Sequence, residues 1–405
     1  MTMKKPKMQR RSFLKMGLTG VAGLSAAPML RGKDGGAGRL QDQADRKVIH
    51  RTLGKTGFKL PIVSMGVMNA DNAALVAAAL DAGIVMLDTA WGYQRGRNET
   101  MIGTVIKGRP RDSYVLATKV PGDRDRKTGF LLPETSAENF KTKFDTSLER
   151  LGLEYVDILY LHNLRRGQDA QSAPMIKALQ DEKKRGRARY IGVTTHAGEP
   201  EVIRAAIEAG VYDVVLTAYN FRKDYLEDLR LAVAEAAEAG LGVVAMKTLA
   251  GVFWDKEKTD PINMKAALKF ALQDTNLHTA IPGFTTFDQM QADLSVMGDL
   301  TLTEQEYADL KLDEKTGGLY CQACERCLPQ CPQQLPIADV MRSYMYVYGY
   351  GNLEKAHTLL TSLDLGEDPC GSCSSCNVTC AKRFDVRDRV RDVMRLKSLP
   401  ADFFA

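Results

Sequence analysis

Short apolar runs alternate with amphipathic stretches from about position 48 to about 312 of the chain. The apolar runs fall at 61–66, 84–87, 114–118, 156–161, 190–193, 214–217, 242–245 and 279–281. Between them lie stretches with apolar residues three and four positions apart, among them 73–82, 137–151, 200–209 and 225–239. A short uninterrupted apolar run suits a strand buried on both faces, and three-four spacing suits a helix with one buried stripe. Eight strands, each but the last clearly followed by a helix, predict an α/β chain built as a (β/α)8 TIM barrel. Gly54 and Gly57 within 51–60 predict a small hairpin ahead of the first barrel strand. The alternative is an open doubly wound sheet, but no run is followed by G-x-G-x-x-G, and P-loop, G-x-S-x-G and H-E-x-x-H motifs are absent too.

Past the barrel, 337–350 and 353–362 read as helices. Met341, Tyr344, Met345, Tyr346, Tyr348 and Tyr350 give the first an aromatic-rich face, expected to pack against the barrel. The segment 385–396, rich in Arg and Asp, reads as a solvated terminal helix. At the other end, Lys4, Lys5, Lys7 and then Arg10-Arg11-Ser12-Phe13-Leu14-Lys15 precede a mildly apolar, Gly- and Ala-rich stretch at 16–30. An arginine pair ahead of a weak apolar region is the pattern of a twin-arginine export signal. That stretch is too short and too weak for a comfortable membrane span. Residues 31–46 read as a linker. The expected division is therefore a signal at 1–30, a linker at 31–46, a barrel at 47–318 and a smaller domain at 319–405. The expected destination is the periplasm, by the twin-arginine machinery, with membrane anchoring if the signal stays uncleaved.

The formal net charge is +5 over 405 residues, and the export signal supplies much of it. A nearly neutral remainder gives no reason to expect nucleic acid. Arg165-Arg166 and 183–185 read as solvated surface.

The cysteines change the picture. None occurs before Cys321, and all 8 fall in two runs of equal spacing. Cys321, Cys324, Cys327 and Cys331, followed by Pro332, form the first; Cys370, Cys373, Cys376 and Cys380, followed by Ala381, form the second. C-x2-C-x2-C-x3-C is the spacing of a bacterial ferredoxin, in which tight loops wrap three thiolates around an iron–sulfur cube. A disulfide framework does not need three cysteines at consecutive x2 spacings, and zinc, which wants two pairs, leaves the third and fourth unexplained. The expectation is two [4Fe–4S] clusters. In two-cluster ferredoxins the fourth cysteine of each run serves the other cluster. By that rule one set is Cys321, Cys324, Cys327 and Cys380, and the other is Cys370, Cys373, Cys376 and Cys331. A chain whose clusters are built in the cytoplasm must cross a membrane already folded, which suits the export signal.

In a barrel, chemistry collects at the C-terminal ends of strands. The second run ends in Leu87-Asp88-Thr89-Ala90, with Tyr93 five residues after Asp88; the third ends at Lys119; the fourth ends in Leu161-His162-Asn163. Each residue alone has an ordinary structural use: a helix cap for Asp88, loop packing for Tyr93, surface for Lys119, a hydrogen bond for His162. Four such groups at successive strand ends make coincidence a poor explanation.

With these residues in place, the chain resembles the aldo-keto reductases. Arg51-x-Leu-Gly-Lys-Thr-Gly, Leu87-Asp-Thr-Ala-x-x-Tyr93 with Asn98-Glu99 and Gly103, Ala117-Thr-Lys119, Asp157-x-x-x-Leu161-His162, Ile191-Gly-Val and Ile281-Pro-Gly match that family in order. The match spans roughly 48–300. With its tail, the chain is similar to the branch fused to a ferredoxin-like iron–sulfur domain.

The resemblance implies hydride transfer between a nicotinamide and the carbonyl of an aldehyde, ketone or sugar-like compound. Tyr93 would be the proton donor, Lys119 with Asp88 would lower its pKa, and His162 would orient the carbonyl. Asn163, Thr195 and His196 would hold the nicotinamide amide, and Lys247 has two open uses, a contact to the pyrophosphate or a helix-facing salt bridge. Where NADPH-specific relatives carry cations, this chain has Gly283 and Gln289, with Asp293 beside the adenine position. The cofactor implied is thus NAD or NADP, with no obvious partner for a 2′-phosphate. Met246 replaces the usual aromatic on the nicotinamide, and Leu216 a common glutamine. Three arrangements are open: clusters relaying electrons between the barrel and a redox partner protein, structural clusters beside ordinary catalysis, or an electron carrier using the barrel as a scaffold.

Overall fold

The computed structural model describes residues 47–404 apart from Lys256 and 313–318. The expected export signal at 1–30 and linker at 31–46 lie outside the described residues.

A two-stranded antiparallel hairpin comes first, β1 (His50–Thr52) and β2 (Lys59–Pro61). Its turn tucks under the barrel. Gly54 adopts φ +47°, and a Cβ there would lie 2.3 Å from the Gly242 nitrogen, so only glycine fits. Eight parallel strands follow in chain order: β3 (Met65–Gly66), β4 (Met86–Asp88), β5 (Val115–Val120), β6 (Val156–Leu164), β7 (Ala188–Thr195), β8 (Val214–Ala218), β9 (Gly242–Met246) and β10 (Thr279–Ala280). The ring closes through a parallel bridge between Val63 and Ala280 and through Ser64 N donating to the Ala280 carbonyl at 2.8 Å. The expected strand at 61–66 is only two regular residues long. Pro61 belongs to the hairpin instead, and 62–64 serve the closure.

Two apolar layers explain the shape. Leu53, Leu60, Met86, Val115, Ile158, Tyr160, Val214 and Val244 fill the barrel interior. A larger layer joins the outer faces of the strands to the surrounding helices. Helix Ala137–Leu151 shows how the sequence specifies one of these. Ser136 Oγ accepts from Asn139 N at 3.1 Å, Gly152 ends the helix at φ 65°, and Phe140, Phe144, Leu148 and Leu151 are buried along one face.

The tail has its own apolar cluster, built from helices Ile337–Tyr348, Leu353–Ser362 and Val386–Met394. The last of these is not merely solvated. Val386, Val390, Val393 and Met394 bury one face of it, while its Arg and Asp residues occupy the other. The tail lies across the C-terminal mouth of the barrel, because it contacts loops that follow one strand after another. Asn352 Nδ2 donates to Asn69 Oδ1 at 2.9 Å after β3. Glu354 pairs with Arg95 at 3.0 Å and Arg97 at 2.7 Å after β4. Arg126 donates to the carbonyls of Thr361 and Ser362 after β5. Arg165 pairs with Asp339 and Glu325 after β6. Lys382 pairs with Asp224 at 2.5 Å after β8, and Gln322 donates to the Ala250 carbonyl at 2.7 Å after β9. The expectation that Arg165 is solvated is thereby overturned: it is buried, and two carboxylates of the tail answer its charge.

Candidate active site

Asp88 ends β4 and Lys119 lies one residue from the end of β5, so both side chains reach the top of the barrel interior. Lys119 Nζ donates to Asp88 Oδ1 at 2.5 Å, to the Thr89 carbonyl at 2.7 Å and to the Tyr93 hydroxyl at 3.1 Å. All three side chains are buried. The turn after Tyr93 is strained, with Gln94 at φ 49° and Arg95 at φ 53°. It is held by Gln94 Nε2 donating to the carbonyls of Met68 and Ala70, and by Asn98, whose Nδ2 donates to the Val67 carbonyl at 2.7 Å. His162, near the end of β6, places its ring edge-on to Tyr93 with centroids 6.1 Å apart. The structure therefore brings all four of the strand-end residues together.

Electrostatics assigns their protonation states. Burial raises the Asp88 pKa, and the adjacent Lys119 opposes this. Burial works against the Lys119 ammonium, but Asp88 and Tyr93 outweigh it and the net shift is upward. Burial also raises the Tyr93 pKa; Lys119 pulls it down and Asp88 pushes it up. The expected lowering of Tyr93 is thus corrected: Lys119 acts in that direction, and burial wins. His162 falls well below its ordinary value through burial and through Lys119, Lys355, Arg124 and Lys247, so it is a neutral imidazole at pH 7.

The residues expected around a nicotinamide divide into two groups. His196 and Lys247 line one cavity at the seam between barrel and tail, with Asn220, Cys321, Gln322 and Arg342. Asn163, Thr195 and Gly283 do not line it. Asn163 sits at φ 67° where the β6–β7 register shifts, and its Oδ1 is buried without a partner. His196 Nδ1 is likewise buried and unpartnered. Each of these atoms is open to one hydrogen bond, although the two do not line a common cavity. The Thr195 hydroxyl is already engaged, donating to the Ala197 carbonyl at 2.8 Å. Gly283 lies exposed in the loop after β10. Asp293 is buried, its carboxylate oxygens lack partners, and burial raises its pKa to about 8. At neutral pH that carboxyl keeps its proton and is uncharged, so it offers a phosphate no counter-charge.

All 8 cysteines are free thiols. Burial raises Cys321 to about 11, and among the charges acting on it are Cys324 and Cys380. Burial raises Cys327 to about 12, with Cys321, Cys324 and Cys380 acting on it. Cys370 instead feels Cys373, Cys376 and Cys331. Cys380 of the second run thus acts on thiols of the first, and Cys331 of the first acts on Cys370 of the second. Gln330 fastens the crossing: its Oε1 accepts from Thr379 N at 2.7 Å, beside Cys380. Backbone nitrogens of Ala323 and Lys382 donate to the sulfurs of Cys321 and Cys380 at 3.3 and 3.4 Å. Among the described residues no three His, Cys, Asp or Glu side chains gather closely enough for a single metal ion.

Sequence reasoning missed what the tail contributes. Lys355 Nζ stands 5.6 Å from the centre of the Tyr93 ring. Burial and Lys119 lower its pKa to about 8. Tyr346 feels the charges of both Arg342 and Tyr93. No local pattern marks Lys355, because its position depends on how the tail docks, whereas Tyr346 belongs to the aromatic face expected to pack against the barrel.

A profile of the Aldo/keto reductase family matches residues 57–268. The chain is 28% identical over 295 residues to L-galactose dehydrogenase of Arabidopsis thaliana, covering 63% of this chain and 89% of that protein. It is 27% identical over 218 residues to D-threo-aldose 1-dehydrogenase of a Pseudomonas species, covering 47% of this chain and 66% of that protein. In fold it is similar to the holo form of an aldo-keto reductase from Bacillus halodurans, with a TM-score of 0.54 and 24% identity, over 68% of this chain and 99% of that one.

Proposed function

Since the chain belongs to the aldo/keto reductase family and is an oxidoreductase, we propose that it interconverts the carbonyl and alcohol forms of a sugar-like compound with a nicotinamide cofactor and exchanges the electrons through two [4Fe–4S] clusters in its tail. The observation that carries the carbonyl chemistry is the buried Lys119 ammonium bridging Asp88 and the Tyr93 hydroxyl. What favours the electron relay is that Cys321 lines the same cavity as His196 and Lys247.

A bound nicotinamide would supply or take the hydride, and each cluster would carry one electron, so two clusters match one hydride. Asn163 and His196 would hold the carboxamide. Cys321, Cys324, Cys327 and Cys380 would hold the inner cluster, and Cys370, Cys373, Cys376 and Cys331 the outer one. Tyr93 gives its proton to the carbonyl oxygen, and burial keeps that proton in place through neutral pH. Lys119 stabilises the phenolate left behind, while Asp88 keeps Lys119 charged. His162 donates a hydrogen bond that fixes the carbonyl. In the oxidative direction the same hydroxyl must first lose its proton.

The sugar-like substrate class is favoured by the two dehydrogenases named above. Export to the periplasm by the twin-arginine machinery rests on Arg10-Arg11-Ser12-Phe13-Leu14-Lys15. Cys376 is exposed, which favours exit of electrons from the outer cluster to a redox partner protein. Anaerobic purification followed by iron and sulfide counting, NADH titration and a Tyr93→Phe comparison tests the proposal. Loss of carbonyl turnover in Tyr93→Phe with the clusters retained is expected; turnover without Tyr93, or a protein free of iron, would overturn it.

A further inference from the structure

Around the seam cavity, cations outnumber the acids that could answer them. Lys119 is matched by Asp88 and Lys223 by Glu199, each at 2.5 Å. Arg165 takes Asp339 and Glu325, and Glu354 is taken by Arg95 and Arg97. Lys247, Arg342 and Lys355 remain, and among the described residues none has a carboxylate in ion-pair contact. Arg342 is buried; its Nη2 donates to the His196 carbonyl at 3.3 Å and its Nε has no partner. Lys247 Nζ faces the Tyr346 ring at 5.8 Å, and Lys355 faces the Tyr93 ring.

We propose that the seam cavity binds an anionic group of the substrate itself, a carboxylate or a phosphate on a sugar-like carbonyl compound, with Lys247 and Arg342 as its ligands and the carbonyl directed to Tyr93. The proposal rests on the tetrad being the carbonyl site. Two facts favour the substrate's own anion over the pyrophosphate of a dinucleotide. Arg342 comes from the tail rather than the barrel, on the helix that carries Tyr346. Lys355, which lies over Tyr93 and outside the cavity lining, also acts electrostatically on Lys247. Cations in a dry seam repel one another, and a bound anion relieves this. The low pKa of Lys247, caused by burial and then by Arg342, Lys223 and Lys355, is the expected mark of such crowding.

The test is calorimetric titration of the cluster-loaded full chain with D-glucuronate, D-glucose 6-phosphate and D-glucose, and separately with NADH. At least one charged sugar is expected to bind roughly 10- to 100-fold more tightly than glucose, and the tighter one identifies the group. Lys247→Met and Arg342→Met should each remove most of that preference and weaken NADH binding far less than they weaken binding of the charged sugar. Lys247 is half-buried, less enclosed than Arg342, so its variant stays informative if burial makes Arg342→Met fold poorly. Tyr93→Phe should lose turnover and keep the preference. Equal affinity for the three sugars overturns the anion site, even where turnover proves to depend on Tyr93. So does a loss confined to NADH affinity, which would assign the cations to pyrophosphate. Arg342 also acts on the Cys321 thiol, so a shift in cluster midpoint potential with unchanged sugar binding would assign it to the cluster and overturn the proposal.

Discussion

Arg165 of the barrel and Asp339 of the tail form an ion pair from which water is almost excluded, with side chains 3% and 7% exposed. Glu325, in the first cysteine loop, meets the same guanidinium at 2.5 Å. One barrel residue after β6 therefore anchors both the helix and the loop that close the mouth. Removing it strands two carboxylates in the seam. Breaking a buried pair this way costs about 3–5 kcal/mol. Arg165→Met is expected to lower the melting temperature and to expose the tail to limited proteolysis ahead of the barrel. Melting at the wild-type temperature would show that the pair does not hold the domains together.

Tyr93→Phe removes the proton donor and little else, since the hydroxyl's recorded partner is Lys119. Loss of general acid catalysis is worth roughly 10²- to 10⁴-fold in rate. Steady-state carbonyl reduction should fall by that factor with an unchanged melting temperature. Lys119→Met should lose activity too, but it also leaves Asp88 buried and unpaired, so it should melt earlier.

The pH profile follows from two shifts. His162 is held well below its ordinary value by burial and neighbouring cations, so it stays neutral through the physiological range. Tyr93 is raised by burial and keeps its proton. Reduction should be flat from about pH 6 to about 7, below the value of about 8 at which Lys355, beside Tyr93, loses its charge, while alcohol oxidation should climb with pH. A histidine-like inflection near pH 6.5 in the reductive rate would contradict this assignment.

Asp293 offers a stability test away from the chemistry. Burial raises its pKa in the folded state to about 8, against an ordinary value of 3.8. The folded protein therefore holds a proton that the unfolded chain releases from about pH 4 upward. Its contribution is fully present below the unfolded value and is lost as pH rises through about 8. Asp293→Asn should change little near pH 4 and should raise the melting temperature at pH 8. An equal effect at both would mean that the carboxyl finds a partner in solution.

The barrel was legible because each of its devices is local. Ser136 and Gly152 bracket a helix whose apolar residues recur every three or four positions, and the ends of that helix were read correctly. The tetrad was legible for a related reason: strand ends in a barrel share one rim, so Asp88, Lys119 and His162 had to meet. What depends on domain docking was not legible. Arg165 beside Arg166 reads as an exposed basic pair, and nothing near it in sequence announces Asp339, 174 positions away. Lys355 lies on an ordinary amphipathic helix, yet docking brings it over Tyr93. The sign of the Tyr93 shift also needed the structure, because Lys119 and burial oppose each other and only the depth of the site decides between them.

The most direct measurement is anaerobic mixing of the iron-loaded full chain with NADH, followed by electron paramagnetic resonance of the frozen product. About eight irons per chain, as two four-iron clusters require, with reduced-cluster signals appearing on NADH addition, is the outcome that a cluster-linked reductase demands. Clusters that stay oxidised under NADH while dithionite reduces them would contradict electron exchange with the barrel, leaving an ordinary reductase with structural clusters.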